Sequence, residues 1–447
     1  MAYSLVARVL VVFITMKMAV SWRRLALGGC YRGTHRVVSS LNVLPLRGKV
    51  EGERPAIKVI LKPATQDEAP VVTKLSAAEF RKEHQVTIKG EAVGGAIEPW
   101  TDFEETPFGP TLKRVLTAAG YTAPTTIQAL SWPIALEKRD LISVARTGSG
   151  KTCGFLLPAL HNILMEREAD KFEAQRRYNT RGRKIPSVLV LAPTRELAVQ
   201  IETEAQKFAR AANAFVMSMY GGASKGAQIQ KLRSGVDIVV ATPGRCNDLL
   251  EMGVLNLSAI KYLVLDEADR MLDMGFEPQI RSIIDQIPEE RQSLFFTATW
   301  PKEVQSLAAD FLKNPVHISV GDSESLTANK AIRQHVIVCS ERDKDAELDR
   351  VIERINPSAD PNLVPKTIVF MNRKHACDDL AFNLRGRGYA VDTLHGDKSQ
   401  ALRTIAMQRF RNGRLRVLVA TDVAARGLDV HDVEVVINHD MPNNVEE

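Results

Sequence analysis

The stretch DLISVARTGSGKT, residues 140–152, decides the fold of this chain. It reads as a short apolar strand, a glycine-rich loop and the start of a helical stretch that runs from Cys153 to Leu164. Glycines allow backbone N–H groups to close around phosphate oxygens at a helix amino terminus, Lys151 adds a positive charge, and the Thr152 hydroxyl can hold magnesium. The order of strand, loop and helix therefore predicts a nucleotide site, with a flexible glycine turn as the alternative.

The chain around this loop alternates helical stretches with short β-branched runs from about Trp100 onward. This alternation is typical of helices packed on a parallel sheet, so the predicted fold class is α/β. The strands expected are 140–144, 187–191, 238–240, 262–265 and 293–296, then 334–339, 367–370, 390–394, 416–420 and 433–437. We predict a first domain over residues 96–320, a linker over 321–333 and a second domain over 334–447.

Two adjacent carboxylates, Asp266 and Glu267, follow the strand 262–265 at its carboxyl end, where a parallel sheet carries its functional residues. Two acids there are unfavourable without a cation, so Asp266 is predicted to hold magnesium. Glu267 can orient and deprotonate a water that attacks a phosphate in line. Taken alone, the acids could instead cap a helix. Beside the loop at 145–152 they favour catalysis by Glu267, Asp266 and Lys151.

Residues 266–269 spell DEAD, and the chain resembles the DEAD-box family of RNA helicases in the order and spacing of its motifs from Phe103 to about Met441. The stretches MLDMGF at 271–276 and WPKEV at 300–304 resemble the p68-like branch of that family. The resemblance implies two RecA-like domains that close over ATP and single-stranded RNA and separate short duplexes with ATP hydrolysis. It also implies ATP and Mg²⁺ as cofactors.

The resemblance extends to the residues that contact nucleotide. The stretch GYTAPTTIQ at 120–128 resembles the family's adenine-sensing Q motif, in which Gln128 offers a donor and an acceptor and Phe103 can stack on the base. Without the other motifs, this stretch would read as a proline-started helix with a buried glutamine. Those implied to hold Mg²⁺ are Thr152 and Asp266, and those implied to bind ATP are Phe103, Gln128, Ala145, Thr147, Gly148, Ser149, Gly150, Lys151, Thr152, Gly427 and Asp429.

Turn-like stretches after the predicted strands resemble the family's RNA contacts. Glycines, hydroxyls and arginines suit sequence-independent binding of a sugar-phosphate backbone, although each stretch alone would be an ordinary turn. TAT at 297–299 resembles the family's SAT motif, so Asp269, Thr297 and Thr299 are implied to couple the nucleotide site to the RNA site. The implied RNA contacts are Pro193, Thr194, Arg195, Gly222, Thr242, Pro243, Gly244, Arg245, Gln400, Arg403 and Thr421.

A histidine-and-arginine motif follows position 441 in the family, and the sequence ends at Glu447 without it. On this ground we expect an incomplete second domain with an exposed sheet edge, and slow hydrolysis, because those arginines neutralise charge on the transferred phosphate. The alternative function is a hydrolysis-impaired clamp that binds ATP and RNA. A DNA translocase is a weaker alternative. Protein partners within an RNA-processing complex are a further expectation.

Residues 1–50 are predicted to be a targeting segment. The chain has a net charge of +6, and these residues supply eight basic side chains and no acid, so the remainder is nearly neutral. An acid-free, arginine-rich start is typical of a mitochondrial transit peptide. A secretory signal, or a disordered tail on a nuclear or cytoplasmic protein, is the alternative. Residues 51–95 read as an extended linker with one short helix near 76–82.

Cysteine usage argues against a protein with a structural metal, and hydropathy argues against a membrane-spanning protein. The five cysteines are odd in number and scattered without paired spacing, which indicates a reducing compartment and no structural metal. No uninterrupted apolar stretch reaches the length of about eighteen residues that a membrane-spanning helix needs, so no membrane partner is expected.

Overall fold

The computed structural model describes residues 8–15, 75–90, 97–174, 185–321, 332–421, 430 and 432–441. Within them, the chain forms two sheets with helices packed on both faces, so the α/β prediction is confirmed. The short strands are nearly all apolar because both faces of each sheet are covered.

The first domain contains eight strands, ten α-helices and one short 3-10 helix (Phe103–Glu105) among the described residues. After strand β1 (Arg8–Thr15), which belongs to the second sheet, its strands are β2 (Val86–Lys89), β3 (Leu141–Val144), β4 (Val188–Leu191), β5 (Val216–Met219), β6 (Ile238–Ala241), β7 (Tyr262–Asp266), β8 (Gln292–Thr297) and β9 (Val316–Val320). Its helices are α1 (Ala77–Glu83), α2 (Pro110–Ala118), α3 (Thr126–Leu136), α4 (Lys151–Ala174), α5 (Arg195–Ala209), α6 (Lys225–Arg233), α7 (Pro243–Glu251), α8 (Ala268–Asp273), α9 (Glu277–Ile284) and α10 (Lys302–Phe311).

The first sheet has the strand order β2-β9-β3-β8-β7-β4-β6-β5 and is parallel except for β2, which runs antiparallel to β9. All five strands predicted for this domain are present, whereas β2, β5 and β9 were missed. The predicted boundary at residue 96 is wrong, because β2 lies inside the expected linker and pairs with β9. An edge strand of two half-buried and two exposed residues leaves little apolar signal, which is why the sequence did not show it.

The core of the first domain lies in two layers on either side of its sheet. One layer packs α2 to α5 against the sheet around Trp132, Phe155 and Phe208, and the other packs α7 to α10 around Met271, Ile280 and Leu307. Because both layers are buried and apolar, the carboxyl ends of the strands are held as a rigid platform for the loops that follow them. None of the described helices has the length and apolar character needed to pass through a lipid bilayer.

The second domain is organised by a sheet with the strand order β10-β1-β14-β11-β13-β12. Its later strands are parallel to one another, as predicted. The strands are β10 (Ile332–Cys339), β11 (Thr367–Phe370), β12 (Val391–Leu394), β13 (Val417–Ala420) and β14 (Val435–Asn438), and the helices are α11 (Lys344–Ile355), α12 (Lys374–Gly386) and α13 (Gln400–Arg411).

Strand β1 lies between β10 and β14 and runs antiparallel to both. Its eight residues pair with all of β10, from Arg8 opposite Cys339 to Thr15 opposite Ile332. The expectation of an exposed sheet edge at β14 is therefore wrong for this structure, because β1 covers that edge. The predicted targeting segment 1–50 thus contains a strand whose partners lie more than three hundred positions further on, which sequence periodicity cannot reveal.

Candidate functional site

The glycine-rich loop joins β3 to α4, as the sequence predicts. Gly148 and Gly150 have φ angles of +76° and +92°, which residues with a Cβ rarely adopt. Lys151 is buried, and its ammonium donates a hydrogen bond of 2.9 Å to the Ala145 carbonyl, so the positive charge is held at the loop. The other predicted contacts of the loop are exposed or half-buried and open to a ligand: Thr147, Gly148, Ser149 and Thr152.

The two acids lie at the carboxyl end of β7, in the same sheet as the loop. Both are buried, and Glu267 has a left-handed backbone with φ of +53°. Its side chain makes no capping hydrogen bond to α8, so the helix-cap alternative is not supported. Burial raises the pKa of the Asp266 carboxyl to about 7, and the charge of Lys151 acts in the opposite direction. A buried acid with this raised pKa is stabilised when a cation lies beside it.

Asp269 connects the acidic strand end to the start of the segment after β8. One carboxylate oxygen of Asp269 accepts hydrogen bonds from the Thr299 N–H at 2.9 Å, the Thr299 hydroxyl at 2.8 Å and the Ala298 N–H at 3.2 Å. The Thr297 hydroxyl donates to the Thr299 carbonyl at 2.9 Å. The three residues predicted to couple the two sites therefore form one hydrogen-bonded unit.

The two predicted adenine contacts are engaged with protein groups in this structure. The Gln128 amide donates to the Gly150 carbonyl at 3.0 Å and accepts from the Thr125 N–H at 3.0 Å. A Cβ at Gly150 would lie 2.5 Å from that amide nitrogen, so the glycine is required for this contact. Phe103 is buried with its ring centroid 6.3 Å from that of Trp132. The geometry here makes Gln128 a support of the glycine-rich loop rather than a free reader of a base.

Two of the predicted RNA contacts in the first domain lie against each other. Arg195 begins α5, which is capped by the Thr194 side chain accepting from the Leu197 N–H at 3.2 Å. Gly222 has a φ of +82°, and a Cβ there would lie 2.2 Å from an Arg195 guanidinium nitrogen. Only glycine fits at this position, so the loop after β5 and the start of α5 form one surface.

Arg245, a predicted RNA contact, is engaged with protein groups in this structure. Its guanidinium is buried and donates to the Gln228 side chain at 2.9 Å and to the Ala223 carbonyl at 3.4 Å. It braces the loop that carries Gly222, because Ala223 is the next residue. Of the remaining predicted contacts near it, Gly244 is exposed, whereas the buried ones are Pro193, Thr242 and Pro243.

Gln400 and Arg403, predicted to bind RNA from the second domain, contact the first domain in this structure. Arg195 donates to the Gln400 side-chain oxygen at 3.1 Å, and Arg403 forms an ion pair of 2.8 Å with Glu196. Both partners of the ion pair are largely buried, with 10% and 12% of their side-chain surface exposed. Glu196 was missed by sequence reasoning, because an acid in the first turn of a helix needs no partner to explain it.

The second domain contributes few described residues to the site. Thr421 follows β13, is half-buried, and donates its N–H to the Leu394 carbonyl at 3.1 Å, which leaves its position at the strand end consistent with the prediction. Gly427 and Asp429 lie outside the described residues.

Family models match two parts of the chain. The model described as "DEAD/DEAH box helicase" matches residues 125–307, and "Helicase conserved C-terminal domain" matches residues 343–447. Together they span both sheets described above, apart from β1, β2, β9 and β10.

Relatives of known name match most of the chain. DEAD-box ATP-dependent RNA helicase 14 of Arabidopsis thaliana is 47% identical over 375 residues, which are 84% of this chain and 57% of the relative. ATP-dependent RNA helicase DBP2 of Saccharomyces cerevisiae is 46% identical over 370 residues, which are 83% of this chain and 64% of the relative. The chain thus spans less than two thirds of the length of these relatives. A solved structure of the yeast DEAD-box splicing factor Prp28 is 30% identical, covers 84% of this chain and 83% of its own, and has a TM-score of 0.49.

Proposed function

The chain belongs to the DEAD-box helicase family, and from this premise we propose that it is an ATP-dependent RNA helicase that binds single-stranded RNA and separates short RNA duplexes. The observation that carries the proposal is the hydrogen-bonded unit of Asp269 and Thr299. These hydrogen bonds join the acids that serve nucleotide hydrolysis to the segment after β8, so a displacement of one displaces the other.

Hydrolysis in this proposal uses residues of the first domain. The carboxylate of Glu267 orients a water and takes its proton as the water oxygen bonds to the terminal phosphorus of ATP. The bond from that phosphorus to the bridging oxygen breaks, and ADP leaves. Lys151 leaves the Ala145 carbonyl and neutralises charge on the phosphate oxygens.

Mg²⁺ is proposed as a cofactor because the donor set fits it. The buried Asp266 carboxylate, with its raised pKa, and the Thr152 hydroxyl at the start of α4 are hard oxygen ligands of the kind that Mg²⁺ prefers. When bound, the ion would neutralise charge that builds up on the phosphates. Adenine contacts by Gln128 and Phe103 remain part of the proposal, and they require Gln128 to exchange its present bonds.

The RNA partner is proposed to be bound largely without regard to base sequence. The surface formed by Arg195, Gly222 and Gly244 offers a guanidinium and exposed backbone rather than groups that read base edges. Binding to protein partners in an RNA-processing complex is also a proposal, and no described residue identifies such a partner.

The test is steady-state ATP hydrolysis by the 447-residue chain with and without single-stranded RNA. We expect RNA to stimulate turnover, and strand-separation assays with a short duplex to require ATP. If the chain binds ATP analogue and RNA but does not hydrolyse ATP, the hydrolysis-impaired clamp would be the correct function and the helicase proposal would be wrong. Stimulation by single-stranded DNA as strong as by RNA would contradict the RNA assignment.

A mitochondrial location is proposed from the acid-free composition of residues 1–50, with nuclear and cytoplasmic locations as alternatives. Cleavage after this segment would remove β1 from the second sheet. A fluorescent reporter fused to residues 1–50 tests the location, and the mass of the endogenous protein shows whether β1 is retained. A cytosolic or nuclear signal would refute the mitochondrial proposal.

A further inference from the structure

Tyr121, Cys153 and Glu204 meet where three elements of the first domain come together. The Tyr121 hydroxyl donates a hydrogen bond of 2.6 Å to one Glu204 carboxylate oxygen and lies 3.4 Å from the Cys153 sulfur. The Cys153 thiol donates to the same oxygen at 3.8 Å. Lys207 donates to the other Glu204 oxygen at 2.6 Å, so both oxygens of this carboxylate have partners.

Tyr121 and Cys153 are both neutral donors at neutral pH. Burial raises the pKa of the Tyr121 hydroxyl above its ordinary value, and burial raises the pKa of the Cys153 thiol to about 12. Both groups therefore keep their protons. A neutral hydroxyl that donates to a carboxylate with 21% of its surface exposed makes a short, directional contact, which is stronger than a hydrogen bond between neutral groups.

Each of the three residues belongs to an element that holds part of the proposed site. Tyr121 precedes α3 in the stretch that resembles the adenine-sensing motif, and Cys153 follows Thr152 in the first turn of α4. Glu204 lies on α5, which begins at Arg195. Nine positions along a helix span about 13 Å. The carboxylate of Glu204 therefore lies about 13 Å along a rigid helix from the guanidinium-bearing residue of the RNA surface.

The end of α4 that carries Cys153 also carries Lys151, the ammonium of which faces the phosphate loop. In the structure Lys151 is held by the Ala145 carbonyl, and a phosphate in the loop competes for that ammonium. Lys151 and Cys153 are in the same helical turn, so a shift of this turn changes the distances from Cys153 to Tyr121 and Glu204. A bond as directional as that between Tyr121 and Glu204 responds to a shift of a few tenths of an ångström.

We infer that Glu204 is a positioning residue that couples occupancy of the nucleotide loop to the RNA-facing start of α5, through its hydrogen bond with Tyr121. The inference rests on the proposed function, because it requires that ATP and RNA both bind. Coupling between two ligands is a free energy shared by their sites, so it is measured as the ratio of the dissociation constants for one ligand with and without the other.

The experiment measures the Kd of a non-hydrolysable ATP analogue without RNA and with saturating single-stranded polyuridine RNA. Tyr121→Phe removes the donor and keeps the ring, and Glu204→Gln keeps an acceptor and removes the charge. We expect each to lower the ratio of the two constants about fivefold, since coupling typically amounts to about 5–150-fold. The double variant should lose no more than the larger single loss. Arg210→Gln, at an exposed position at the end of α5, is the control and should keep the ratio within twofold.

An unchanged ratio in Tyr121→Phe, beside a wild-type chain that couples the two ligands, would overturn the inference. A variant that weakens analogue binding equally with and without RNA, together with a lowered Tm, would overturn it as well, because that is the signature of a purely structural role. Failure of the wild-type chain to bind analogue or RNA would instead refute the proposed function. Glu204→Gln keeps the side-chain volume, so it provides the test if Tyr121→Phe does not fold.

Discussion

The two sheets of this protein are assembled in different ways. All strands of the first come from one continuous region, residues 86–320, and the glycine-rich loop, the acids and the coupling threonines follow its carboxyl ends. The second takes a central strand from residues 8–15, and its α13 contacts the first domain through Gln400 and Arg403. The difference teaches that the described residues around the glycine-rich loop come from one continuous region, whereas the second sheet depends on contacts between distant parts of the chain.

The largest effect is expected when the proposed general base of the first domain is removed. We expect Glu267→Gln to lower RNA-stimulated ATP turnover by about 10²–10⁴-fold, since a positioned general base contributes this much. Binding of ATP analogue and RNA should remain within a few-fold. Glu251→Gln, an exposed glutamate on α7, is the matched control. Turnover above a tenth of the wild-type rate in Glu267→Gln would place the base elsewhere.

A proline in β1 tests the long-range assembly of the second sheet. Val12 pairs with His335 on β10 and with Ile437 on β14, so Val12→Pro removes a backbone donor from a central strand. We expect the free energy of opening of β10 and β14, measured by hydrogen exchange, to fall by about 3 kcal/mol, the upper end for a hydrogen bond lost with its acceptor left unpaired. The exchange of β3 and β7 should not change. Val12→Ile keeps the donor and the β-branched side chain, and equal exchange in the two variants would contradict the pairing.

Reversal of charges at the contact between the two domains tests whether the ion pair of Glu196 and Arg403 holds them together. Because Glu196 and Arg403 are largely buried, Glu196→Arg places two like charges together and should lower the population of the state in which the domains touch by about 30-fold, or about 2 kcal/mol. The double variant Glu196→Arg with Arg403→Glu should recover most of that loss. Single-molecule energy transfer between dyes on the two domains measures the populations. An equal loss in the single and double variants would show that the ion pair does not hold the domains.

The smallest effect is expected when the pH is lowered and Asp440 in the second domain becomes protonated. Hydrogen bonding with His439, and contacts with Lys344 and the Asn372 N–H, lower the pKa of the Asp440 carboxyl, although burial opposes them. A lowered folded-state pKa stabilises the fold above the unfolded value of about 4, and this contribution, about 1 kcal/mol, is lost as the pH falls further.

Urea unfolding between pH 6 and pH 3 measures this loss, with hydrogen exchange of β14 as the local readout. Asp440→Asn should remove this part of the pH dependence. A first-domain control is the exposed Asp285→Asn, which should leave the pH dependence of β14 unchanged. The same acid sensitivity in Asp440→Asn and the wild-type chain would mean that another group is responsible.

The parts of the site that the sequence predicted are those whose chemistry is local. Gly148, Lys151 and Asp266 are defined by a few neighbouring residues and by the strand before them, so pattern and position agree. Asp269 and Thr299 are thirty positions apart, and only the resemblance to a family brought them together before the structure did.

Three parts could not be read from the sequence, each for a physical reason. The pattern around Arg245 does not say whether its guanidinium faces solvent or braces the next loop. The partner of Arg403 lies in the other domain, so no local rule identifies it. The pairing of β1 with β10 depends on closure of a loop of more than three hundred residues, for which neither periodicity nor propensity carries information.

The place of β1 in the second sheet has a consequence for the order in which the molecule folds. The ribosome makes β1 before its partner β10, which follows roughly 300 residues later, and at about 5–20 residues per second this is a delay of about 15–60 s. During that time RVLVVFIT, an apolar segment of high β propensity without an acid or a proline, has no partner from its own sheet. The first domain can fold as it emerges, whereas the second sheet is completed only when β10 and β14 have been made and pair with β1.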